Sequence, residues 1–294
     1  MQGCDYMYEF KRSRSRFWLR IFENEASISI ATNGMTRRLI HFNMPYLAEN
    51  SPKGWQPSAN YPDTYTLWLP DSCYDYEDLE SLKAWADRVN QYIWLGINKN
   101  TEPYFVGNEL DLCVAYDWNF EFGTQIRTPA GKAEYNLKYH QDELTHDHEI
   151  QFKRILADAV QDCVMALPVD LRDFVVTTIP AVVQDQNKIS WWLSNFVART
   201  NYLPFIGVSL TKPKPQMKSL PLQEKIRIWR SIYEDSSWVI VPNELYGRNI
   251  LIVDDLFQSG ASLFCFAEFL KSKFGAKQVI AVTSVKSQRD GDNT

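Results

Sequence analysis

Apolar and polar positions alternate in short stretches over the first part of the chain. Residues 17–22, 26–32, 37–42 and 64–69 are rich in aromatic and β-branched side chains, and turn chemistry such as Asn33-Gly34 separates them. That pattern predicts strands joined by tight turns. The stretch 43–63 carries Pro45, Pro52, Pro57 and Pro62 and reads as a long loop. Leu79, Leu82, Ala86, Val89 and Ile93 recur at helical spacing and predict one helix. Residues 1–126 therefore read as a strand-rich α+β domain.

The pattern changes after Arg127-Thr128-Pro129-Ala130-Gly131, which reads as a domain boundary. A sustained apolar stripe (Phe152, Ile155, Leu156, Ala159, Val160, Cys163, Val164, Leu167) predicts a helix over 147–167, with Thr145 as its N-cap. Continuous apolar runs at 174–179, 205–210, 238–241, 249–254 and 278–283 predict strands. Helical periods at 188–199, 222–233 and 262–273 fall between them. Apolar strands alternating with helices predict an α/β domain over 127–294, built on a mostly parallel, doubly wound sheet. No internal repeat interrupts either part.

Composition narrows the function classes. The chain has 294 residues and a formal charge of −5, so there is no global electrostatic pull towards nucleic acid. A basic stretch at 11–20 has two readings. It is either an edge strand guarded by charge, or a nucleic-acid contact of the N-terminal domain with Phe17 and Trp18 as stacking residues. Cys4, Cys73, Cys113, Cys163 and Cys265 form no C-x-x-C pair and read as reduced thiols, from which a cytoplasmic location is expected. No apolar run reaches membrane-spanning length, so no membrane partner is expected. His140, His146 and His148 lie close in sequence, but 146 and 148 diverge on a helix, and a solvated helix entry is the plainer reading.

The chemistry concentrates in residues 250–262, ILIVDDLFQSGAS. An apolar strand ends in Asp254 and Asp255, and a short loop then opens a helix. Ligands of open α/β sheets bind at the carboxyl ends of strands. Unpaired amides and partial positive charge at a helix N-terminus suit a phosphate. The loop Leu256, Phe257, Gln258, Ser259, Gly260, Ala261 and Ser262 supplies a glycine for close backbone approach and two hydroxyl donors. Two carboxylates repel a phosphate but suit the hydroxyls of a sugar. A diol site followed by a phosphate site is the layout for a ribose 5-phosphate. Successive strand residues point to opposite faces, so both carboxylates reach one ligand only if the chain begins to turn at Asp255.

The same segment resembles the phosphoribosyl pyrophosphate motif of type I phosphoribosyltransferases: apolar strand, acidic pair, then a loop ending in Thr/Ser-Gly-x-Thr/Ser. Within that superfamily the chain is most similar to the ComF-type competence proteins, over roughly residues 128–288. Asn136-Leu137-Lys138-Tyr139, the basic 211–225 (TKPKPQMKSLPLQEK) and Gly275-Ala276-x-x-Val279 follow in the same order. The resemblance implies a glycosyltransferase of nucleotide metabolism that takes phosphoribosyl pyrophosphate with Mg²⁺. Asp254 and Asp255 would then be its catalytic residues, with no side chain binding the metal directly. It also implies candidate pyrophosphate or lid contacts at Lys138, Tyr139, Lys188, Lys212, Lys214 and Lys218. Where the family has a basic pyrophosphate loop, residues 179–195 carry Lys188 as their only cation and no glycine. The implied alternative is a non-catalytic ComF-like module that binds a ribose phosphate in DNA uptake or processing. A homodimer is compatible with either.

Overall fold

The computed structural model describes residues 5–11, 17–95, 109–121, 123–182, 188–217 and 219–287. Two compact units emerge: Met1–Trp94 with Ala166–Val169, and Leu95–Met165 with Asp170–Thr294. The expected boundary at 126/127 falls inside the second unit, because a strand before it belongs to that unit's sheet.

The first unit is strand-rich, as its alternation predicts. β1 (Asp5–Lys11), β2 (Trp18–Asn24), β3 (Ser27–Asn33), β4 (Trp55–Pro57) and β5 (Thr64–Pro70) form an antiparallel sheet in the order β1-β2-β3-β5-β4. Leu19, Ile21, Ile28, Ile30, Leu67 and Leu69 are buried in its core. Residues 37–42 are not a strand. They lie in α1 (Gly34–Asn43), because the Asn33 side chain caps the helix by accepting the Thr36 amide at 2.9 Å. Thr36, Leu39 and Ile40 then form a buried stripe at helical spacing. The stretch 43–63 is not one loop either: Pro45 opens the short helix α2 (Pro45–Asn50), where a missing amide hydrogen costs nothing, and β4 follows. Helix α3 (Tyr76–Val89) ends before Ile93, which lies in the two-residue β6 (Ile93–Trp94). Phe17 is buried against Trp85 at 5.8 Å between ring centroids, so it is not available as a stacking residue. Trp18 lies under the Arg20 guanidinium at 5.7 Å. Residues 12–16 of the basic stretch, like Cys4, fall outside the described residues.

The second unit is mixed α/β. β7 (Leu112–Trp118), β8 (Phe174–Thr177), β12 (Asn249–Phe257) and β13 (Gln278–Lys286) are neighbours in the order β7-β13-β12-β8, and every pairing among them is parallel. β13 is buried from Val279 to Lys286 and β12 from Ile250 to Asp254, as expected of parallel strands covered on both faces. A small second sheet has the order β11-β10-β9, from β9 (Ala181–Val182), β10 (Ser209–Leu210) and β11 (Val239–Ile240). Helices α5 (His146–Ala166), α6 (Ile189–Thr200), α7 (Leu222–Glu234) and α8 (Ala261–Phe274) match the predicted periods to within a few residues. Thr145 caps α5 by accepting the His148 amide at 3.3 Å. Trp191 packs on Phe205, with centroids 5.2 Å apart.

Sequence periodicity missed α4 (Pro129–Tyr139). Its Thr-Pro-Ala-Gly opening, which looks like a linker, is helix-start chemistry: the Thr128 hydroxyl accepts the Gly131 amide at 3.1 Å and Pro129 sits in the first turn. Gly131 lets this turn lie directly on the Asn119 backbone. A Cβ there would stand 2.2 Å from the Asn119 carbonyl oxygen and 2.7 Å from its carbonyl carbon. Backbone cannot yield as a flexible side chain does. Gly131→Ala is therefore expected to cost about 1–3 kcal/mol by overpacking, read as a lower thermal or urea midpoint. An unchanged midpoint would contradict this packing of α4.

Candidate active site at the end of the parallel sheet

On one side β12 pairs with β13 as far as Phe257, but on the other its pairing with β8 stops at Ile252. The next carbonyl, that of Val253, accepts the Ser194 hydroxyl of α6 at 3.2 Å. The last residues of β12 thus run past their neighbour, and a cavity of about 1240 Å³ opens beside them. Its wall contains Asp254, Asp255 and the whole of 256–262, with Glu134, Lys138 and Tyr139 of α4, Lys188 at the start of α6, and Lys214. β12 keeps its register with β13 on either side of Asp255, so no turn interrupts the strand there, and both acidic residues line the cavity.

The two acids differ in environment. Asp254 is 9% exposed, and its Oδ1 accepts the Asp255 amide at 3.0 Å. Burial, reinforced by the neighbouring Asp255 charge, pushes its carboxyl well above the ordinary carboxylate range. Burial works the same way on Asp255, but the ammonium of Lys138, 3.0 Å from its Oδ2, and the hydrogen bond from Asp254 hold it below the ordinary value. Between them the two groups favour one proton on Asp254 and one charge on Asp255. The Asp255 carbonyl is fixed by the Ser284 hydroxyl at 2.6 Å.

Lys138 also reaches Glu134 at 3.2 Å, one helical turn back on α4. Glu134 is 4% exposed, and burial raises its pKa. Burial disfavours the Lys138 ammonium, yet the two carboxylates beside it raise its pKa. Glu134 was not legible in the sequence, because the (i, i+4) relation to Lys138 carries meaning only once α4 is known to be a helix.

Gly260 has φ of 77°, in the left-handed region, and as the N-cap of α8 it has no side chain of its own to cap the helix. The first amides of a helix have no partner within it. Here they open at the cavity wall, where Ser259, Gly260, Ala261 and Ser262 all lie. The Ser259 hydroxyl stands 3.5 Å from the Ala261 amide.

Three of the candidate cations converge. The Lys214 ammonium lies 4.8 Å from the centre of the Trp229 ring. Its pKa is lowered by burial and by the charges of Lys188 and Lys138, against the pull of Asp254 and Asp255. The residue as a whole is exposed, while its charged end is crowded. Lys138, Lys188 and Lys214 thus line one cavity with the acidic pair, from three different segments of the chain. Lys212 does not join them: its ammonium stands 4.0 Å over Trp238, away from the cavity wall. Lys218 lies outside the described residues. Tyr139 is 52% exposed at the rim, with its ring 5.3 Å from that of Tyr135. Trp229 and the buried Lys225 also line the cavity, and neither was singled out from the sequence.

Among the described residues, no group of three His, Cys, Asp or Glu is placed to hold a metal ion, and Cys73, Cys113, Cys163 and Cys265 are free. No described helix is long and apolar enough to cross a membrane.

No family model matches the chain, and no curated protein matches it. Among solved structures, it is similar to a hypothetical protein from Neisseria gonorrhoeae with bound ppGpp. That likeness has 16% identity and a TM-score of 0.27, covering 47% of this chain and 68% of the other. A score that low carries no inference about either molecule's site.

The buried acid has a measurable consequence. A carboxyl with a raised folded-state pKa keeps its proton where the unfolded chain has lost it. Stability therefore falls as pH rises from the unfolded value, about 4, through the folded one. Asp254→Asn keeps the oxygen that accepts the Asp255 amide and removes the titration. Its thermal midpoint should match that of the wild type near pH 4 and exceed it increasingly towards neutrality, as the gap in unfolding free energy grows by about 1.4 kcal/mol for each unit of displacement. A gap that stays flat or shrinks with pH would contradict the assignment.

Proposed function

We propose that the second unit is a phosphoribosyltransferase-type domain that binds phosphoribosyl pyrophosphate, or a ribose 5-phosphate group, and transfers the phosphoribosyl group to a nitrogen nucleophile. The observation that carries this reading is the juxtaposition at the end of β12: an acidic pair, then a left-handed glycine and the N-terminus of α8, on one cavity wall. Those groups divide the labour as a sugar phosphate requires. The 5-phosphate takes the amides of 259–262, which supply donors and the positive end of α8 without a counter-ion. The ribose hydroxyls take Asp254 and Asp255, neutral acid and anion in turn.

Departure of pyrophosphate leaves positive charge on the sugar ring, and the charged Asp255 beside it is suited to stabilise that charge. The leaving group needs cations of its own. Residues 179–195 supply one, Lys188, and the convergence of Lys138 and Lys214 on the same space supports a pyrophosphate end that those residues alone would not furnish. Mg²⁺ belongs to the substrate in this reading. It arrives on the pyrophosphate with most of its water, and the chain need not cage it. Lys138 would leave Asp255 for the incoming anion, and Glu134 keeps the lysine in place while it is shared.

Isothermal titration with Mg²⁺–phosphoribosyl pyrophosphate, alongside pyrophosphate release over a panel of nitrogen bases, tests this directly. Wild type should bind, and Asp254→Asn/Asp255→Asn should bind at least about tenfold more weakly, since hydrogen bonds to charged groups are worth about 1.5–3 kcal/mol each. Lys214→Met should weaken phosphoribosyl pyrophosphate more than ribose 5-phosphate. Binding without pyrophosphate release from any base points to the non-catalytic ComF-like module. Absence of binding by wild type removes both.

A further inference from the structure

Lys286 is a buried cation that the chemistry above leaves unused. It ends β13, its backbone lying between Phe257 of β12 and Trp118 of β7, and it is 6% exposed. Its ammonium is not on the cavity wall. It stands 5.0 Å from the centre of the Phe257 ring and 5.9 Å from that of Trp118. There it donates to the Ser287 carbonyl at 2.9 Å and to the Gln258 carbonyl at 3.4 Å. A second bond closes the same corner, the Ser287 amide donating to the Phe257 carbonyl at 2.9 Å.

The Gln258 carbonyl belongs to the peptide unit that carries the Ser259 amide. In a trans peptide the carbonyl oxygen and amide hydrogen point in opposite directions, and no cis bond is present among the described residues. With the Gln258 oxygen held by Lys286, the Ser259 N–H points the opposite way, away from the ammonium, and Ser259 and Gly260 both line the cavity. Were this peptide to flip, the loop would present a carbonyl oxygen to an anion. That contact would be repulsive, in the place where a donor is needed.

We infer that Lys286 is a positioning residue of the phosphate loop: by holding the Gln258 carbonyl it keeps the Ser259 amide aimed at a phosphate monoester. A buried ammonium makes a stronger bond to a carbonyl than a neutral donor does, which suits it to fix one peptide orientation. The inference rests on the phosphate-loop reading above and adds a residue that touches no ligand.

Ribose 5-phosphate is the probe, with binding followed by calorimetry and by amide proton and nitrogen shifts. In wild type the ligand should move the Ser259 amide proton downfield. Lys286→Met, of similar length but unable to donate, should bind about ten- to a hundredfold more weakly, with its Ser259 proton unmoved. Lys286→Arg, which keeps a buried donor, should restore the shift. Equal affinity and an equal Ser259 shift in wild type and Lys286→Met would overturn the inference while leaving the proposed function standing. A wild-type protein that binds no ribose 5-phosphate overturns that function itself, and the two failures are thus distinct. Should Lys286→Met not fold, wild type alone decides: a bound phosphate that leaves the Ser259 amide unmoved overturns the role given to Lys286.

Discussion

The burial of two adjacent carboxylates at the end of a parallel strand is the constraint around which the second unit is arranged. Two neighbouring charges out of water are costly, and proteins meet that cost by pairing a charge or by keeping a proton. Here both occur. Asp254 is displaced towards its neutral form, and Asp255 is held ionised by Lys138, which is in turn shared with Glu134. A core with no task to perform would be more stable with apolar side chains in these positions. Two such carboxylates on a cavity wall are what the proposed sugar-phosphate site requires.

The remaining features follow from where that pair lies. Because β12 outlasts its pairing with β8, the acids reach open space and not another strand. Because Gly260 takes a conformation that other residues avoid, the chain can pass from the strand into α8 within a few residues and bring the helix start to the cavity wall. Lys286 closes the corner through its bonds to the Gln258 and Ser287 carbonyls. Acid, amide and ammonium therefore come from segments far apart in sequence, and their meeting depends on the sheet and on α4 more than on any local motif.

Much of this was legible in the sequence where local pattern and global fold agree. The continuous apolar run before Asp254 marks a strand buried on both faces, and the helices α5 to α8 carry long apolar stripes. The failures have specific causes. Asn33-Gly34 is equally good chemistry for a hairpin and for a helix N-cap, and the burial of Leu39 and Ile40 decided for the helix. Thr128-Pro129 reads as a break until its hydroxyl is seen capping Gly131. With α4 unseen, Glu134 could not be linked to Lys138, and the convergence of lysines from α4, α6 and the loop after β10 is a product of tertiary structure alone. Lys286 lies beyond the strand predicted at 278–283, and only its burial sets it apart.

The central claim is that one anion and one diol share the end of β12. A crystal structure of the protein with ribose 5-phosphate tests it most directly. The account predicts the phosphate on the amides of 259–262, the sugar hydroxyls within hydrogen-bonding distance of Asp254 and Asp255, and Lys138 drawn away from at least one of its carboxylates. A phosphate seated elsewhere in the cavity, with the Lys138–Asp255 pair intact and no sugar beside the acids, would contradict it.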